Sequence, residues 1–171
     1  MRMNQHFGIL YVLLLVCQIL LCNYSPLGPY VMLSFLPAMI LCVPLKIGTP
    51  VCMLIAFVSG LSVDWLSEGL IGINAAALVP VALSRRTIIR IFLGEDLISR
   101  KDSFSFNKHG VAKISAALLT AIALFLVIYI TLDGAGTRPT VTNLAYIGVS
   151  LACNWILCLI ITRILTPDDR K

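Results

Sequence analysis

The chain has 171 residues, of which 59% are hydrophobic and 12% charged, and its mean hydropathy is +0.97. A soluble domain is about one quarter charged and about half apolar, so this composition excludes a soluble globular enzyme, a disordered chain and a nucleic-acid module. The net charge of +5 reads as membrane orientation, because basic residues mark cytoplasmic loops, and a chain of this size lying mostly in lipid is a single transmembrane domain over 1–171.

Six apolar stretches follow one another, bounded by charges, prolines or glycines: about Phe7–Cys22, Tyr30–Val43, Thr49–Leu66, Leu70–Ser84, Val111–Leu132 and Thr142–Ile164. They predict an all-α integral membrane bundle of six transmembrane helices. The first stretch follows Arg2 in the manner of a secretory signal, but no small-x-small cleavage site comes after it. Ile19-Leu20-Leu21-Cys22 also lacks the small residue of a lipoprotein signal, so the stretch reads as an uncleaved first helix. A helix needs about 20 residues to cross a 30 Å hydrocarbon core. The first, second and fourth stretches are shorter than that, so either their ends lie further out or they are short helices inside the bundle. Pro37 removes a backbone hydrogen bond from the second, which predicts a packed or broken helix there. Pro80 interrupts the fourth.

The third and fourth stretches are joined by a few residues and so are antiparallel neighbours. Ala56, Gly60 and Asp64 recur every four residues and share one helix face. Gly72 and Ala76 repeat that spacing on the fourth stretch, which predicts that the two small faces touch. Gln18, Asn74 and Asn154 lie inside apolar stretches and are expected to form hydrogen bonds between helices. Trp65 fits an outer aromatic belt, whereas Trp155 lies in mid-span.

If six helices cross the membrane with both termini in the cytoplasm, twelve of the thirteen basic residues fall on that side, and Arg138 alone falls opposite, with Asp64, Glu68 and Asp133. The connection 85–110 is the long one. Arg85, Arg86, Arg90, Arg100 and Lys101 give it a basic cytoplasmic surface, for anionic lipid or for a cytoplasmic partner. Arg86–Leu93 separates basic from apolar residues. It would extend the fourth helix and lie along the membrane surface.

Asp64 has two readings. It caps the fourth helix, where a negative charge is favoured, or it faces a partner or ligand. No second acid, His or Lys stands within the spans to complete a catalytic set, and no nucleotide, hydrolase or zinc motif occurs, so neither an enzyme nor a metal or other cofactor is expected. The six cysteines form no C-x-x-C pair and read as small hydrophobes. The two halves show no internal repeat of the transporter kind.

Gly60-x-x-x-Asp64-x-x-Ser67-x-x-x-x-Gly72, opening from an apolar helix and followed by Ala75, resembles the MreD family of bacterial rod-shape proteins. Gln18 at the end of a Leu-rich first helix, Pro44 and Lys46 before the third, the basic close of the fourth and Asn154-Trp155 in the last agree with it. The likeness is carried by residues 10–90 and is mainly one of hydropathy beyond. Asn74 and the abundance of cysteine depart from the family pattern. The resemblance implies a fold similar to the substrate-binding subunits of energy-coupling-factor transporters. It also implies a non-enzymatic inner-membrane subunit of the cell-elongation complex, which shapes the cell and helps organise peptidoglycan synthesis. Its partners would be membrane lipid and an MreC-like bitopic protein, with MreB, RodA and the transpeptidase partner of RodA in the same assembly. The surface offered to a partner helix would be Ala56, Gly60, Asp64, Gly72, Asn74 and Ala76. A vitamin-type transport subunit is the competing reading. It requires an outward cavity lined by Asp64, Asn74 or aromatic residues, and the first helix lacks the Ala-x-x-x-Ala face by which such subunits dock.

Overall fold

The computed structural model describes residues 3–24, 31–68, 71–94, 111–134 and 140–165. Among the described residues there are six α-helices: α1 (Met3–Tyr24), α2 (Leu36–Cys42), α3 (Thr49–Val63), α4 (Ile73–Leu93), α5 (Val111–Asp133) and α6 (Thr140–Leu165). A single π-helical turn, Asp64–Glu68, continues α3. The all-helical character is as expected. Among the described residues, four segments are long and apolar enough to cross a membrane, namely 7–24, 49–67, 111–133 and 143–165. The other two differ from that pattern for separate reasons.

The second stretch is not a helix over 30–43. Residues 31–35 are extended, and α2 spans seven residues. Pro37 stands in its first turn, where the missing N–H would have had no partner. Val43 ends the helix with ψ near 136°, since the residue before a proline is held away from the helical region, and Pro44 follows. All seven residues of α2 are buried, and they lie among α3, α4, α5 and α6 with α1 alongside. The shortest of the described helices is therefore the centre of the bundle.

The fourth helix is longer than the apolar stretch 70–84 that announced it. It runs unbroken to Leu93 and stops at Gly94, whose φ of 90° suits glycine. Arg85 through Leu93 is thus helix rather than loop. Of its apolar residues, Ile88, Ile89 and Leu93 join the core, while Ile91 is exposed.

α4 packs most extensively, against α3 and α5. The buried residues of α5, from Ile114 through Ala117, Leu118, Ala121, Ile122, Phe125 and Leu126 to Ile130, recur at three- and four-residue steps and form the helix face expected of a packed helix. α1 is the opposite case: 11% of residues 7–24 are buried. Tyr11 donates to Ser59 Oγ at 3.4 Å and Asn23 Nδ2 to the Leu66 carbonyl at 3.2 Å, fixing α1 at two heights. Three cysteines behave as core hydrophobes, Cys42, Cys52 and Cys158. Cys22 is half-buried, while Cys17 and Cys153 sit on exposed apolar faces of α1 and α6.

Candidate functional site

Two polar centres lie inside this apolar bundle, both made of side chains bonded to backbone. The first is at the α3–α4 junction. Asp64 is fully buried at the start of the π turn. Its carboxylate accepts from the N–H groups of Gly72 (2.9 Å), Asn74 (3.0 Å) and Ala75 (3.3 Å) and from the Asn74 side-chain amide (2.9 Å). The N–H groups at a helix start have no partner within the helix, and a negative charge is favoured there by the helix dipole. Asp64 therefore caps α4 from the preceding helix, the first of its two sequence readings.

Gly60, one turn before Asp64, makes this possible. A Cβ at Gly60 would lie 2.6 Å from the backbone N and Cα of Ala75, so the backbones of α3 and α4 meet here with no side chain between them. Ala56, Gly60 and Asp64 do share one buried face. On α4 the residues that meet this face at Gly60 and Asp64 are Asn74 and Ala75. The expectation that Gly72 and Ala76 form the small face of α4 is corrected. Gly72 precedes the helix, with φ of 105° and open space beside its Cα, so its glycine serves the turn. Ala76 is exposed, because the helix starts at Ile73 and the contact with Gly60 and Asp64 falls on 74 and 75.

The second centre surrounds residues 31–43. Asn154, fully buried on α6, accepts from the Ser34 N–H and donates to the Met32 carbonyl, both at 2.7 Å. Ser150 Oγ accepts from the Met32 N–H at 3.1 Å. Gln18 on α1 accepts from the Phe35 N–H at 3.0 Å and donates to the Leu33 carbonyl at 3.1 Å. Buried backbone N–H and C=O groups outside regular structure need partners, and two amide side chains supply them here.

At the other end of α2, Arg85 caps the helix. Nε donates to the Leu41 carbonyl at 3.3 Å, Nη2 donates to the Val43 carbonyl, and Nη1 lies 3.7 Å from Cys52 Sγ. A cation at a helix C-terminus is favoured by the dipole and by the unpaired carbonyls. Arg85 is 2% exposed, so its assignment to the basic cytoplasmic surface is corrected. Its long side chain turns inward because α2 ends level with it and presents the carbonyls of Leu41 and Val43. Arg86 and Arg90 are exposed as expected, and Arg100 and Lys101 lie outside the described residues.

Sequence reasoning noticed Gln18 and Asn154 as polar residues in apolar runs but paired them between helices. It missed Ser150 and the inward Arg85. The signal for both was Pro37: a broken helix leaves backbone groups that must be met by polar side chains elsewhere. Among the described residues no group of three or more His, Cys, Asp or Glu residues could hold a metal ion. No family model, curated protein or solved structure matches the chain.

Proposed function

We propose that the chain is a non-enzymatic, multi-pass subunit of a bacterial cell-elongation complex in the inner membrane, where it holds an MreC-like bitopic protein and helps organise peptidoglycan synthesis. The observation that carries this reading is the use made of the polar residues in the apolar segments. Gln18, Asp64, Asn74, Arg85 and Asn154 are all buried, and each bonds to the backbone of the chain or to another of the set. Side chains held in this way stiffen the bundle, and a stiff bundle with apolar outer faces suits an adaptor between membrane helices. The transport reading needs Asp64 and Asn74 to line an outward cavity. The Asp64 carboxylate already accepts four hydrogen bonds, which favours the adaptor.

Six crossings with both termini cytoplasmic fit the same picture. Five extended residues and seven helical ones reach about 27 Å, close to the hydrocarbon thickness of about 30 Å, so 31–42 crosses as a broken helix. Lys46, Arg86, Arg90, Lys113 and Arg163 are exposed and fall on the cytoplasmic side in this topology, where they meet anionic lipid or MreB. On α4 the exposed or half-buried residues Ala76, Pro80, Leu83 and Thr87 recur at helical spacing, and along them a single helix of a partner can pack.

Co-expression with an MreC-like single-span protein of the same cell, followed by detergent purification of the tagged full chain, tests the proposal. Co-purification is expected, reduced severalfold by Ala76→Leu with thermal stability unchanged, while Gly60→Leu disrupts the bundle itself. The adaptor reading fails if the bitopic protein never co-purifies, or if cells lacking the chain keep their rod shape.

A further inference from the structure

In an extended chain the peptide groups of successive residues point to opposite sides. Residues 31–35 keep that alternation with no neighbouring strand among the described residues. The N–H and C=O of Met32 and the N–H of Ser34 turn to α6, where Ser150 and Asn154 meet them, and Cys158 Sγ lies 3.8 Å from the Ser34 carbonyl. The C=O of Leu33 and the N–H of Phe35 turn to α1, where Gln18 meets both. A primary amide carries the same donor and acceptor as a peptide, so Gln18 and Asn154 stand in for two flanking strands. α1 and α6 thereby hold opposite edges of one short piece of backbone.

We infer that residues 31–35 form a strap that couples α1 to α6. The inference goes beyond the adaptor reading and does not depend on it. Register is the reason the coupling is switch-like. A slip or rotation by one residue sends every peptide group to the wrong side, so the strap is either clasped along both edges or released from both. Withdrawal of Gln18 removes the grip on Leu33 and Phe35 and leaves Met32 and Ser34 free to turn away from α6. Withdrawal of Asn154 acts in the reverse direction, as linkage requires. The clasped state also holds the Ser34 hydroxyl fully buried with no hydrogen-bond partner among the described residues, a group that gains when the strap turns. A ligand or partner that displaces α1 thus alters the hold on α6 through backbone lying between them.

Residue-resolved amide exchange on the full chain in nanodiscs reads this directly. In Gln18→Leu the Phe35 amide loses its acceptor and must exchange faster on any account. The strap predicts that Met32 and Ser34, which Gln18 does not touch, also exchange at least tenfold faster. In Asn154→Leu the Phe35 amide is expected to follow Met32 and Ser34. Amides near Ile122 in α5 serve as the reference. Faster exchange confined to the groups bonded to the replaced residue overturns the inference. If either leucine variant loses protection in α5 as well, Ser150→Ala decides: it removes a single bond to Met32, and acceleration at Phe35 supports the strap while an unchanged Phe35 refutes it.

Discussion

Asp64 reaches backbone groups eight to eleven residues ahead of it, whereas Asn154 reaches groups 120 and 122 residues behind it. Both meet the same need, since a buried peptide group without a partner destabilises the fold, and more so in lipid than in water. The Asp64 cap is local. It forms as soon as two adjacent helices lie side by side. The clasp on 31–43 draws on α1, α4 and α6 and is complete when the last helix is in place. One molecule thus contains a junction that is self-sufficient and a centre that depends on the whole bundle.

The sharpest test of that contrast is removal of Arg85. Arg85→Ala leaves the Leu41 and Val43 carbonyls without their donor and takes away a packed side chain, at a cost of about 3–4 kcal/mol. Thermal unfolding in detergent should show a drop of roughly 10 °C. Arg85→Lys should recover part of this, because an ammonium lacks the planar fork of the guanidinium. Asp64→Ala leaves four donors unmet near a helix start and should cost about 2–3 kcal/mol in the same assay. Asp64→Asn keeps one accepting oxygen and should recover about half. Gly60→Ala forces a Cβ against the Ala75 backbone and should cost about 2 kcal/mol. Gly72→Ala meets open space but a positive φ, for a loss of about 1 kcal/mol. Ala76→Leu, on an exposed face, should stay within about 0.5 kcal/mol. If Gly72→Ala proved costlier than Gly60→Ala, the close approach of α3 and α4 would not be what holds the junction.

The same contrast explains what the sequence disclosed. The apolar runs placed the four segments long and apolar enough to cross a membrane to within a few residues, since hydropathy over about 20 residues is a strong signal. The Asp64 cap was legible because its partners follow within one turn of the next helix. Ala76 was misplaced because four-residue spacing was counted from Gly72, outside the helix. Arg85 was misjudged for a different reason: charge beside an apolar run normally means surface, and its acceptors lie 42 and 44 residues away. No local pattern announces a guanidinium that ends a helix formed so far from it.

The placement of the thiols gives the bundle a built-in chemical map. Cys17 and Cys153 look outward from α1 and α6, while Cys42, Cys52 and Cys158 are enclosed around α2. A membrane-permeant alkylating reagent of increasing bulk would therefore modify the outer pair first. The inner three would react only when the centre opens, so that each thiol reports, by mass, how far the interior has come apart.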